Sequence, residues 1–239
     1  IRTLAVRIAA NRGMDPLHID STLVDDSDAA VRRQILVSPF ERSIEELVQF
    51  ALHYDGEDRI YREALGIAWQ GREAVVAEAL AAEWDGTWEA VAAGLILQLH
   101  RPDALAPAAE AVLDESLDLE LREMGLRVLD AINTPEAGDK IVSLLLSGDL
   151  PQDLADYALW VLAYDEGQRW AKVMNNENMD AYIEAMVRDD ATYEKAVEFI
   201  RQAKRPTFAG IFMERAQDET RTVQERRNAL REVQSLAAM

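Results

Sequence analysis

The pattern Asp-x-x-x-Arg followed by an apolar helical run occurs three times in register, as Asp28 to Arg32, Asp58 to Arg62 and Asp118 to Arg122. The arginines stand 30 and then 60 residues apart, so the spacing predicts one intervening repeat that has lost the motif. A constant period of this size implies stacked helical units. A helix pair of about 30 residues cannot hide its apolar stripe alone and must be covered by its neighbours. Each Asp is placed to cap a helix, with the Arg one turn later on the same side. That spacing allows an attraction of a few tenths of a kcal/mol. Alternatively the Arg reaches an acidic side chain or carbonyl of the preceding repeat, with Asp26 a candidate partner for Arg32.

Apolar residues recur at helical spacing along most of the chain. Ile44, Leu47, Val48 and Ala51 form one stripe, and Tyr61, Ala64, Leu65 and Ala68 another. Leu105, Ala108, Ala109, Val112 and Leu113, then Leu121, Met124, Gly125 and Val128, repeat the arrangement. Ser43 with Glu46 reads as a capping box, and Asp15-Pro16 and Thr134-Pro135 read as helix starts. Gly13, Gly71, Gly148 and Gly167 read as stops. The pattern predicts helices near 1–12, 15–24, 28–37, 43–53, 58–69, 72–83, 87–99, 103–114, 118–132, 135–147, 151–164, 179–188, 191–203, 206–217 and 220–236, with a loop at Asn175 to Asn178. Period-two strand patterns are absent. The expectation is therefore an all-α chain forming one domain over residues 1–239. Its start at Ile1, within a predicted helix, suggests a piece of something longer.

Composition narrows the function classes. The chain has no cysteine, which excludes disulfides, thiol catalysis and thiolate metal sites within it. Its net charge is −19. Residues 1–189 carry 36 acidic and 16 basic side chains, whereas residues 190–239 carry 8 and 9. A surface this acidic repels phosphate backbones, so nucleic acid is disfavoured as a partner and a basic protein partner is not. No apolar run is long enough to insert into a membrane.

The segment Asp25-Asp-Ser-Asp-Ala-Ala-Val-Arg-Arg33 resembles the loop and first helix of a HEAT-type repeat. That resemblance implies a right-handed superhelical α-solenoid of about seven helix pairs. A narrower stretch, His53-Tyr-Asp-Gly-Glu-Asp-Arg-Ile-Tyr-Arg-Glu-Ala-Leu-Gly-Ile-Ala68, is similar to part of the helical-repeat region of PVC-type haem-binding CxxCH proteins. Ile60 and Arg62 stand where that family has Trp and Leu. Those proteins are large and exported, with a propeller resembling sugar dehydrogenases before the helical repeats and a cytochrome c domain after them. The resemblance implies an extracytoplasmic location and a middle-region scaffold binding neighbouring domains or a protein partner. It supplies no catalytic residue at these positions.

Candidate chemistry is sparse. His18, His53 and His100 are isolated, and none has a second ligand at helical metal spacing. Carboxylate pairs such as Asp25/Asp26, Asp114/Glu115 and Asp189/Asp190 read as helix-boundary groups. No catalytic, cofactor-binding or metal-binding residue is assigned, and no cofactor is expected. Trp84 and Trp88 bracket a turn and are the candidate partner-binding residues. Trp69, Trp160 and Trp170 read as core or inter-repeat filler. Two other functions compete with a non-enzymatic scaffold. One is a HEAT-like DNA glycosylase-type enzyme, disfavoured by the acidity, and the other is a small-molecule module resembling the bilin lyases.

Overall fold

The computed structural model describes residues 1–82, 87–164, 169–175 and 177–238. Among these, every regular element is helical: 16 α-helices and three 3₁₀ turns, with no strand. The chain is thus all-α, as its periodicity predicts. Cα packing divides it into two compact units, Ile1–Ile132 and Asn133–Met239.

The first unit contains α1 (Arg2–Asn11), α2 (Pro16–Ile19), α3 (Ala29–Leu36), α4 (Ile44–Leu52), α5 (Arg59–Trp69), α6 (Glu73–Ala81), α7 (Ala90–Leu99), α8 (Leu105–Leu113) and α9 (Leu119–Ile132). The odd-numbered helices pack in series, α3 on α1, α5 on α3, α7 on α5 and α9 on α7. Helix α4 packs on α6, and α8 lies closely against α9. The stripes meet in the core, where Val31, Ile35, Leu47, Phe50, Tyr61, Leu65, Trp69 and Val76 are buried. Each fully buried side chain of this size contributes about 1.5–3 kcal/mol. The helix expected over 15–24 is broken in two. Asp20 is extended there, and its carboxylate accepts from the Thr22 backbone N–H at 3.0 Å, starting a 3₁₀ turn (Ser21–Asp25).

The second unit contains α10 (Pro135–Ser147), α11 (Gln152–Ala163), α12 (Ala171–Met174), α13 (Glu177–Arg188), α14 (Tyr193–Gln202), α15 (Ala209–Gln217) and α16 (Val223–Ala237). Helix α10 packs on α11, α12 and α13; α11 packs on α14; α13 packs on α14 and α15; and α15 packs on α16. The core is closed by Trp170, which lies flat on α10. A Cβ placed on Gly138 would stand 2.2 Å from the Trp170 ring, so only glycine fits at that contact. Helix α13 begins at Glu177, so the last two residues of the loop expected at Asn175 to Asn178 are helical; Asn176 lies outside the described residues.

The two units build one hairpin twice, at a constant offset of 104 residues. His100 and Lys204 both adopt left-handed backbone, with φ of 49° and 50°. Each is followed by Arg-Pro and a 3₁₀ turn, Pro102–Ala104 in one unit and Pro206–Phe208 in the other. The nine-residue helices α8 and α15 come next. Asp114 and Asp218 end them with the same extended backbone, accepting from the N–H of Ser116 at 2.9 Å and Thr220 at 3.0 Å. Asp118 and Thr222 then cap α9 and α16.

Candidate partner-binding surface

The three arginines of the repeated motif are interior groups, each 8% exposed. Asp28, Asp58 and Asp118 cap their helices, accepting from the N–H groups of Ala30, Tyr61 and Leu121 at 2.9 Å each. The arginines do not pair with these capping carboxylates. Arg32 donates from Nε to the Tyr61 hydroxyl at 3.2 Å, and from its two Nη groups to the carbonyls of Asp26 and His53. Arg122 donates from Nε to the Val112 carbonyl at 2.8 Å. Arg62 is packed beside the Tyr54 phenol, whose pKa burial raises and the Arg62 charge pulls back. Guanidinium groups satisfying carbonyls at helix ends are a structural device, since buried C=O groups left alone cost about 1–3 kcal/mol.

A second arginine series runs beside the first. Arg42, Arg72 and Arg101 lie 30 and 29 residues apart, each just before the second helix of a pair. Arg42 binds the Asp15 carboxylate at 2.8 Å, Arg72 the Arg42 carbonyl at 2.6 Å, and Arg101 the Ala74 carbonyl at 3.2 Å. Each link spans one period and ties a helix start to the equivalent place one pair earlier. The spacing alone signals the series, but without a flanking Asp it lacks a motif.

Residues 53–58 form a structural corner. Gly56 has φ of +88°, and a Cβ there would meet Ala90 Cβ at 2.9 Å. The Tyr54 hydroxyl donates to the Gly56 carbonyl at 2.9 Å. Asp55 accepts from the N–H groups of Asp58 and Glu57 at 3.0 and 2.9 Å, which holds its carboxyl below the usual carboxylate range. His53 sets its Nε2 2.8 Å from Asp25 Oδ1. Among the described residues, no group of three or more His, Asp or Glu side chains could hold a metal ion.

The aromatic residues separate by position. Trp69 and Trp170 are buried. Trp88 is half-buried and donates from Nε1 to the Leu121 carbonyl at 3.3 Å; Trp84 lies outside the described residues. Trp160 departs from its expected place as filler, being 48% exposed. Helix α11 buries Leu154, Ala158, Val161 and Leu162, and this forces Tyr157, Trp160 and Tyr164 onto the opposite face at near-helical spacing. Their rings stack, with centroids 5.7 Å apart for Tyr157–Trp160 and 5.2 Å for Trp160–Tyr164. Tyr164 is 55% exposed.

Beside this stack runs a groove of about 240 Å³ between α11 and α14, lined by Asp156, Trp160, Tyr164, Lys195, Glu198 and Gln202 among others. A wider cleft of about 670 Å³ shares Ala163, Tyr164 and Gln202 with it and extends to Glu177, Asp180 and Arg205. Lys195 is paired with Asp156, and Arg205 with Asp180 at 2.7 Å. The face is therefore aromatic along one edge, with both of those cations already bound to carboxylates. The first unit holds an apolar cleft of about 620 Å³ lined by Leu52, Val75, Leu80, Leu95 and Ile96. Searches of protein-family models, curated proteins and solved structures find no match to this chain.

Proposed function

We propose that this chain is a non-enzymatic helical-repeat scaffold that holds a protein partner or neighbouring domains through the aromatic face of α11. The observation that carries this reading is the exposed pair Trp160 and Tyr164, stacked with the half-buried Tyr157 and lining an open groove. Large rigid aromatics with few rotors are the side chains most often found at the energetic centre of interfaces, and exposing two together costs solvation unless something covers them. The repeat-stack part of the reading is supported in the first unit by next-but-one helix packing and by arginine links spanning one period. The likeness of residues 53–68 to the CxxCH proteins supports an exported parent protein with this region in its middle.

The test is site-directed photo-crosslinking in the organism that makes the protein. A benzophenone amino acid replaces Trp160 in one variant and the exposed Ile67 in another, and adducts are identified by mass spectrometry. A discrete adduct from position 160, lost when Tyr164→Ala is added, supports the reading. Identical adducts from both positions, or none from position 160, would overturn it.

A further inference from the structure

We infer that the α11–α14 face takes an extended, arginine-bearing peptide segment; this rests on the scaffold reading above and names the chemistry of its partner. The argument is one of charge left over. On α14, Lys195 is occupied by Asp156 and Arg201 is held in two hydrogen bonds by Glu232, at 2.9 and 2.7 Å. Glu194 and Glu198, one turn apart on the same helix, are exposed and engage no side chain among the described residues. Asp153 continues the Tyr157–Trp160–Tyr164 stripe one turn toward the start of α11 and is likewise exposed and unpaired. Glu177, exposed, lines the adjoining cleft together with the exposed Lys204, so that cleft adds no net charge. The groove thus carries two aromatic rings and the unpaired Glu198, with Glu194 and Asp153 on its flanking helices, while Lys195 and Arg201 are neutralised from within.

A guanidinium matches both components. Trp160 has Tyr157 and Tyr164 stacked against it, and Trp160 and the exposed Tyr164 line the groove. An arginine laid on Tyr164 gains a cation–π contact while its fork reaches a carboxylate such as Glu198, which lines the same groove. An acidic or phosphorylated segment meets the wrong sign of charge. A wholly apolar helix leaves the carboxylates desolvated without partners.

The experiment uses the full chain and a fluorescein-labelled peptide of alternating Gly and Arg, nine residues long, followed by anisotropy at 0.15 M salt. Alternating Gly-Lys, Gly-Glu and a proline nonamer are run in parallel. Because the whole chain is acidic, the readout is the effect of local variants against a distant one. Tyr164→Ala and Glu198→Gln are each expected to weaken Gly-Arg binding about tenfold. Glu120→Gln, which removes the same charge from an exposed position in the first unit, is expected to change it less than about twofold. All three positions are exposed, and matching thermal midpoints check that the fold is intact. Equal weakening by Glu120→Gln, or unchanged binding in Tyr164→Ala, would overturn the inference by showing diffuse charge attraction only. Tighter, Tyr164-dependent binding of the proline peptide would also overturn it while leaving the scaffold reading standing. That reading falls only with the crosslinking result.

Discussion

Arg226 donates its Nε–H to the Ala216 carbonyl at 2.9 Å, ten residues back along the chain. Arg122 makes the same link to Val112, also across ten residues, at 2.8 Å. Each guanidinium closes a hairpin by occupying a carbonyl that the end of the first helix leaves without an intrahelical partner. Removing the donor strands that carbonyl. Arg122→Met is expected to lower unfolding free energy by about 1–3 kcal/mol, read from the urea midpoint. Arg226→Met, at a more exposed site, should cost less.

Gly138 and Trp170 set a limit on packing in the second unit. Gly138→Ala forces the indole out of contact with α10, and the expected cost is about 1–3 kcal/mol with altered near-ultraviolet circular dichroism from Trp170. Alanine is the better helix former by roughly 1 kcal/mol, so a stabilised variant would show that the ring moves aside freely.

Tryptophan position separates core from surface. Trp69→Ala empties a fully buried site and should destabilise by about 3–5 kcal/mol. Trp160→Ala, on the exposed face of α11, should cost less, about 0.5–1.5 kcal/mol from its ring stacks. Thermal or urea denaturation of the two variants checks both, and a large loss at position 160 would contradict its placement.

Acid stability follows from the corner carboxylates. Asp55 is depressed by the N–H groups of Asp58 and Glu57, and Asp26 by the Asp28 N–H and by Arg2. A depressed folded-state pKa contributes stability that is complete above the ordinary value of 3.8 and is lost as pH falls through the lower folded value. Unfolding free energy should therefore decline as pH drops below about 4, and the decline should be shallower in Asp55→Asn. Urea titrations between pH 5 and 2 (roughly the span of such carboxylates) measure the slope.

Much of the fold is written locally, and the parts that were missed are non-local. The capping box of Ser43 and Glu46 and the Thr134 cap start α4 and α10 at the predicted residues, because a cap is chosen by groups within three positions. A break needing one extended residue, such as Asp20, is not marked by a glycine or proline, because Asp20-Ser21-Thr22 is compatible with either a helix interior or a new cap. Trp160 shows the larger limit. Its spacing from Tyr157 and Tyr164 marks a stripe, but which stripe faces out depends on where α10 and α14 pack, a choice made far along the chain. The roles of Arg42, Arg72 and Arg101 are not legible locally for the same reason, since their partners lie 27 to 30 residues away.

The recurrence at 104 residues has a consequence for how such a chain changes length. A corner marked mainly by its own side chains, with Arg101 and Arg205 reaching back to an earlier helix, carries most of its folding instructions with it wherever it is copied. Growth by whole modules then needs no new solution for turning the backbone, and selection is left free to alter what the outward helices display.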